Sequence, residues 1–337
     1  MPRYILLTID VEDWFQVENF KEWIPFSSWS SYELRVEKNT HRILDILDSV
    51  VLQPSTMGHE LGGSRNPKAT FFVLGWIAKR LPHLVREIHA RGHEVASHGY
   101  YHTLCDQETP EDLRGDLTDT KELLENIVGA AVFGYRAPSF SISHEILRIV
   151  ADCGYVYDSS YNSFAMHGRY GHIDLSQNGK RGIALQVDTT QNPPSSIQYP
   201  VSDFLYELPI SNLIIRNPFS HMLSANSSEQ NRGGFLLPWG GGGYFRLMPF
   251  PLFQRGVRSI LEKENAYLFY MHPWEIDPEQ PKVDEAPIFV KFRHYTNLAK
   301  TESKLSSFFD GFKHCSFTTC YDYIFAYDRS RTNPQNA

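Results

Sequence analysis

Cysteine is scarce in this chain: four occur in 337 residues, Cys105, Cys153, Cys315 and Cys320, and no two form a CxxC pair. That scarcity excludes a disulfide-stapled framework and a thiolate zinc site, and it reads as a reduced, cytoplasmic protein. Long hydrophobic runs are missing too. The opening stretch MPRYILLTIDVEDWF holds one basic residue and an apolar run that acids soon interrupt, too short for a secretory signal core or a membrane span. Nothing later comes closer, so no integral membrane segment is expected. Positive charge is also short: 32 Lys and Arg stand against 39 Asp and Glu, a formal charge of -7 with no basic block. A nucleic-acid binder that works by neutralising phosphates is thereby excluded, and a neutral or weakly charged ligand fits better. The chain does have 42% hydrophobic and 14% aromatic residues, enough for a large core.

Residues 4–9 (YILLTI) form a continuous apolar run ending at Asp10, the pattern of a strand buried on both faces of a parallel sheet. A helix follows at 40–50, then a second buried strand at 69–74. Over 76–90, Ile77, Leu81, Leu84, Val85 and Ile88 recur at helical spacing until Gly92 stops the pattern. The alternation continues with strands at 93–97, 131–135 and 154–158 and helices at 110–128 and 143–153, which implies a parallel sheet or barrel. Residues 51–68 and 164–200, rich in Gly, Ser, Asn and Pro, read as surface insertions. Strands resume at 204–209 and 266–271, separated by the run Gly240–Gly243 and a helix at 251–264. Beyond 275 the composition turns polar, with a helix at 296–312 and a closing strand near 315–326.

Chemistry concentrates at two strand ends. Ser97-His98-Gly99-Tyr100-Tyr101-His102 follows the strand at 93–97. On a helical turn residues four apart share a face, so both imidazoles can meet one metal ion. The plain alternative is a pair of surface histidines, but barrel active sites sit at the C-terminal ends of strands. At the end of the first strand stand Asp10, Glu12 and Asp13. Three such carboxylates repel one another unless a cation or an arginine compensates them, or unless they form a solvated turn or a helix cap. Two imidazoles and one carboxylate make a ligand set used by catalytic zinc and non-haem iron, with positions open for water and substrate.

The order ThrIleAsp, ThrPhePhe, SerHisGlyTyrTyrHis, TyrArgAlaProSerPhe, TyrAspSerSer and TyrMetHisPro resembles the NodB-type polysaccharide deacetylases, carbohydrate esterase family four. The resemblance runs from about residue 4 to residue 275. DVEDWFQVENF, FRLMPF, HPWEID and FRHYTNL look more narrowly like the exopolysaccharide-associated branch with a C-terminal extension. The family implies an α/β fold, a distorted (β/α) barrel of about seven parallel strands, and metal-assisted removal of acetyl groups from N-acetylated sugars. By that resemblance Asp10 matches the general base, His98 and His102 the imidazole ligands and Arg136 the arginine that orients the base. His272 matches the general acid, and Asp158 the acid that tunes it. The family's usual motif has two adjacent aspartates, whereas Asp10 is followed here by Val11, Glu12 and Asp13. A strand's two-residue period puts Glu12 on the face of Asp10, which favours Glu12 as the ligand, with Asp13 as runner-up or as a partner behind the ligands.

Trp14, Phe15, Trp239, Tyr244 and Trp274 lie beside these motifs and are candidates for stacking on sugar rings, with packing as the alternative. Gly240–Gly243 is no phosphate loop, since no GlyLys follows it and it joins no buried strand to a helix; it allows close backbone approach to a glycan or a tight turn. The expected protein is thus a hydrolase acting on an N-acetylated glycan with a divalent ion, preferably zinc, and no organic cofactor. Its rivals are an amidohydrolase acting on a small non-sugar C–N bond and a catalytically silent sugar-binding barrel. Residues 1–276 are expected to form the barrel, and 277–337 an extension packed beside the site rather than a second domain.

Overall fold

A computed structural model describes residues 2–53, 66–164, 170–171, 173–175, 178–188, 204–216 and 234–329. Burial on both faces sets the centre of the fold. In β1 (Tyr4–Val11) every residue after Tyr4 is buried, and the strand has neighbours on both sides. The elements that follow are α1 (Val36–Ser49), β2 (Ala69–Val73), α2 (Gly75–Arg80), α3 (Pro82–Ala90), β3 (Glu94–Ser97) and α4 (Pro110–Val128). Next come β4 (Gly134–Tyr135), α5 (His144–Asp152), β5 (Tyr157–Asp158), β6 (Gly179–Arg181), β7 (Ala184–Asp188) and β8 (Phe204–Glu207). The chain continues through β9 (Asn212–Arg216), β10 (Gly234–Pro238), α6 (Gly242–Leu247), α7 (Phe250–Glu264) and β11 (Ala266–Met271). It closes with α8 (Ile288–Tyr295), α9 (Leu298–Phe312), β12 (Ser316–Phe317) and α10 (Cys320–Arg329).

Seven strands run parallel in the order β11-β1-β2-β3-β4-β5-β8, and β7 and β6 extend the β8 edge antiparallel. This is the expected distorted (β/α) barrel. Alternate side chains divide the core: Leu6, Phe72, Ala96, Tyr157, Leu208 and Leu268 share an inner cluster, whereas Leu7, Ile9, Phe71, Val95 and Phe269 join the larger core that also holds the helix faces. Between β8 and β11 the seam is closed by single contacts: Ser211 donates its N–H to Leu268 O at 3.4 Å, and Tyr270 donates to Gly240 O at 2.7 Å. The glycines are required there, because a Cβ at Gly240 would stand 2.8 Å from Leu268 O and Ser211 O. The run leads from the half-exposed β10 into the short α6, and its close approach is to the protein's own strand.

Other departures have local causes. The helix expected at 76–90 is two helices, broken at Leu81 (φ -124, ψ 55), because Pro82 disfavours helical geometry in the residue before it. The helix at 296–312 is preceded by a separate α8, with Asn297 left-handed at φ 60 between α8 and α9. The closing strand shrinks to β12, since Thr319 accepts from Asp322 N at 3.0 Å and starts α10. Part of the supposed insertion at 164–200 is the β6–β7 hairpin, whose strands are too short to show alternation; the insertion expected at 51–68 falls mostly on 54–65, outside the described residues. Among the described residues no helix is long and apolar enough to cross a membrane.

Residues beyond 276 are joined to the barrel by packing and by hydrogen bonds. From α9, Leu305, Phe308, Phe309 and Phe312 are fully buried or nearly so, and Phe308 meets Phe245, Phe253 and Phe269. Each such side chain contributes about 1.5–3 kcal/mol on burial, so four of them rival a domain's net stability of about 5–15 kcal/mol. Truncation after Asp277 is therefore expected to abolish a single cooperative melt and cause aggregation, as calorimetry and light scattering would show; a soluble, cooperatively melting truncation would refute this.

Candidate active site

The two-residue period of β1 sets Thr8 and Asp10 on the same side as Leu6, facing the barrel interior, and Arg136 enters from the end of β4. Its guanidinium is wholly buried. Nη1 donates to Thr8 Oγ1 at 2.8 Å and to Asp10 Oδ1 at 2.6 Å, while Nε and Nη2 donate to Ser159 O and Oγ, both at 2.8 Å. The same group lies 4.1 Å over the Phe72 ring. Asp10 is thus held by a fully bonded arginine, which makes its burial tolerable.

Beside Asp10, the donor atoms of Glu12, His98 and His102 all lie within 4.8 Å of one another, and all three side chains are buried. His98 Nδ1 is 2.7 Å from Arg136 O. A carbonyl only accepts, so Nδ1 carries the hydrogen and Nε2 keeps its lone pair for a ligand. Burial pulls the His98 imidazole down to about 4, which keeps it neutral and able to ligate. His102 reaches the cluster through an irregular loop, not a helical turn as the spacing implied: Gly99 has φ 70 and His102 φ 55. A left-handed non-glycine residue at a donor position is strain of the kind found at functional sites. Glu12 Oε2 is 2.8 Å from His102 Nε2 yet has no aligned hydrogen-bond donor, as when two ligands face a common point. Burial works to raise the Glu12 carboxyl, but His102, His272 and His98 outweigh it and hold it at about 2. Donor types, protonation and the orphaned oxygen all fit a divalent cation.

His272 completes the cleft, an opening of about 110 Å³ lined also by Asp10, Glu12, His98, His102 and Trp274. Its Nε2 lies 3.4 Å from Glu12 Oε1 and 3.9 Å from Asp10 Oδ2. Its Nδ1 is 2.9 Å from Glu275 Oε1, and Arg246 Nε donates to Glu275 Oε2 at 2.7 Å. Burial opposes protonation, but Glu12, Glu275 and Asp10 raise His272 to about 9. Trp274 stacks between His272 and His294, with centroids 5.1 and 4.1 Å away.

Several assignments change. The carboxylate partner of His272 is Glu275, not Asp158, because the HPWE turn folds Glu275 back onto His272 as a capping box; that i,i+3 pattern was available in the sequence. Asp158 instead accepts from Ser160 N and Oγ at 2.9 and 2.8 Å and pairs with Glu207, its cross-strand neighbour on β8. Ser160 Oγ in turn accepts from Ala137 N at 2.8 Å, so the pair braces the segment carrying Arg136. Asp13 is neither ligand nor ligand partner: it accepts from Arg35 N and Val36 N at 2.7 and 2.8 Å and caps α1, while burial raises it to about 6. Trp14, 3% exposed, packs edge-on to Phe15 and Tyr32 and cannot serve as a sugar platform. Phe15 and Trp239 are core residues as well. Trp274 lines the cleft, whereas Tyr244 meets Phe164 outside the cleft lining. Arg246, Glu275, Glu207 and His294 were not anticipated.

An α/β barrel with a carboxylate, an arginine and a metal-type donor set at its strand ends defines a class, the hydrolytic (β/α) barrels. Residues 64–157 match the family described as polysaccharide deacetylase, and 159–324 match one described as a domain of unknown function (DUF3473). Residues 64–157 thus resemble the polysaccharide deacetylases, the NodB-type family four of carbohydrate esterases. The first match carries His98, His102 and Arg136 and the second His272, while Asp10 and Glu12 precede both. A peptidoglycan deacetylase-like protein of Gibberella zeae is 32% identical over 28% of this chain and 28% of its own length. A peptidoglycan-N-acetylglucosamine deacetylase of Bacillus cereus is 30% identical over 26% of this chain and 41% of its own. A chitooligosaccharide deacetylase of Azorhizobium caulinodans is 31% identical, again over 26% and 41%. The chain thus spans less than half the length of these curated relatives. A solved structure from Mycobacterium smegmatis, classed as a polysaccharide deacetylase, aligns over 97% of this chain and 90% of that one with a TM-score of 0.53 at 18% identity; it shows the common fold.

Two expectations follow from the geometry. His98→Ala and His102→Ala are each expected to lose stoichiometric zinc in an equilibrium dialysis assay without unfolding, and Glu12→Gln to weaken zinc more than Asp13→Asn; full occupancy in the double histidine variant, or the reverse order of the acids, would contradict this. The second concerns Glu207. Burial, and then the negative Asp158 alongside, pushes its carboxyl well above the usual range, and its Oε2 lacks a donor, so Glu207 is the protonated member of the pair. Its stabilising effect is complete below the unfolded value of about 4.3 and is lost as pH rises through the higher native value. Glu207→Gln, which keeps a donor and an acceptor, should flatten that decline in urea midpoints above about pH 4.3. Glu207→Leu should cost about 1–3 kcal/mol for each polar group it orphans.

Proposed function

We propose that the protein hydrolyses the acetamide groups of an N-acetylated glycan. The observation that carries this reading is the convergence, in one cleft, of a metal-type Glu12, His98 and His102 cluster, an arginine-held carboxylate and a third imidazole, His272, braced by its own carboxylate. The donor set, rich in imidazole and free of thiolate, suits zinc. When bound, such an ion polarises the acetyl carbonyl and makes water more acidic. The chain's own groups handle the protons. Asp10, its Oδ1 tied to Arg136, takes a proton through Oδ2 from the water that adds to the carbonyl carbon. His272 gives its proton to the nitrogen as the C–N bond breaks, so the products are acetate and a free amine rather than a high-energy amide anion. Glu275 and Arg246 fix the imidazole, and Trp274 limits its rotation by stacking. The names of the relatives support a glycan substrate, and the motifs shared with the exopolysaccharide-associated branch favour a secreted-type polysaccharide or its precursor.

Acetate release from N-acetylated oligosaccharides by the zinc-loaded protein is the direct test; ammonia or a ring-opened product without acetate would point to the amidohydrolase reading. Asp10→Asn and His272→Ala should each lower turnover by about 100- to 10,000-fold while zinc still binds, and wild-type turnover in either variant would remove that residue from the mechanism.

A further inference from the structure

Each acidic side chain that lines the catalytic cleft has a positive partner. Asp10 is bonded to Arg136, Glu12 faces His98, His102 and His272, and Glu18 stands 3.7 Å from Lys21. On the basic side, His272 is matched by Glu275. Arg293, which lines the same cleft from α8, is matched by nothing: its guanidinium has neither a carboxylate nor a hydrogen-bond acceptor among the described residues. This sets it apart. Every other buried or half-buried arginine whose side chain is described pairs with an acid: Arg35, Arg42, Arg91, Arg114, Arg136 and Arg246. The backbone that carries Arg293 is nevertheless well fixed. Arg246 Nη2 donates to Arg293 O at 3.2 Å. The next residue, His294, is buried, stacks on Trp274 at 4.1 Å and has Nε2 2.7 Å from Gln280 Oε1.

A half-buried guanidinium held at a cleft without an internal partner offers a planar fork of N–H donors, and the acceptor that fits such a fork is an oxyanion. The charge balance narrows the choice. One unmatched positive charge, in a cleft whose acids are already paired, suits a singly charged carboxylate better than a phosphate monoester, which carries close to two negative charges at neutral pH. We infer that Arg293 is a specificity-determining residue that binds a carboxylate on the glycan, so that the substrate is an acidic polysaccharide with a uronic acid or a similar sugar close to the acetamide. The inference rests on the glycan reading above and adds the charge of the substrate to it. It also gives α8, outside the barrel strands, a direct contact with the substrate.

A matched pair of probes that differ only in charge tests this. A hyaluronan tetrasaccharide, in which N-acetylglucosamine alternates with glucuronic acid, is compared with the methyl ester of the same tetrasaccharide. Calorimetry on zinc-loaded Asp10→Asn or His272→Ala protein, whichever thermal melts show to be folded, is expected to find the free acid bound about 10- to 100-fold more tightly than the ester. Adding Arg293→Gln should bring the two affinities within about threefold of each other, and Arg293→Lys, which keeps the charge but not the fork, should restore part of the difference. A residue that served only the fold would weaken acid and ester alike and leave their ratio unchanged. Equal affinity for acid and ester, no binding of the acid, or a ratio that persists in Arg293→Gln overturns the assignment. The deacetylation reading stands or falls separately, on acetate release by the protein with Asp10 and His272 intact.

Discussion

The buried ion pair between Arg136 and Asp10 is the constraint on which the site depends. A guanidinium with no access to water is tolerable only when its nitrogens find acceptors, and here they go to Thr8 and Asp10 on β1 and to Ser159 beyond β5. Removing either charge leaves the other buried and unpaired, a loss of about 3–5 kcal/mol. The pair therefore cannot be varied independently of the barrel. The backbone of the same residue does a second task, since Arg136 O receives the His98 Nδ1 hydrogen and sets which ring nitrogen faces the donor cluster.

A second buried pair mirrors the first across the cleft-lining residues. Arg246 donates to Glu275 and also to the carbonyls of Arg293, His294 and Thr296, so the carboxylate that holds His272 is anchored to the region after residue 276. Gly242 belongs to this arrangement, because any Cβ there would collide with the Glu275 carboxylate. The glycine run and the C-terminal helices are in this way structural supports of His272. The acid side of the site and the C-terminal helices share one hydrogen-bond network, whereas Asp10 and Arg136 draw on the barrel interior alone.

The cost of this arrangement is visible in its polar orphans. Among the ten buried side-chain atoms of the described residues without aligned partners are Glu12 Oε2, Glu207 Oε2, Gln16 Nε2 and Trp29 Nε1. Three of these residues lie in the catalytic cleft or a cavity beside it, and the fourth belongs to the carboxyl pair behind Arg136.

Strand runs, helix spacing and the motifs at strand ends made most of the barrel legible in the sequence, because a parallel sheet buried on both faces demands continuous apolar segments and a two-residue period places Asp10 and Glu12 together. Asp10, Glu12, His98 and His102 could be named from local pattern, and Arg136 and His272 only from the family resemblance. Partner choice could not. Whether Asp13 ligates or caps α1, and which acid stands beside Asp158, depend on which segments the closed sheet brings within about 3 Å of one another, and no local spacing encodes that distance. The same holds for Trp14, whose indole reads identically as platform or core until Phe15 and Tyr32 are placed around it. Short hairpins such as β6–β7 escape for a further reason: their strands acquire order from the β8 edge they pair with, so sequence determined the residues that carry the chemistry, and the tertiary structure decided which neighbours hold them.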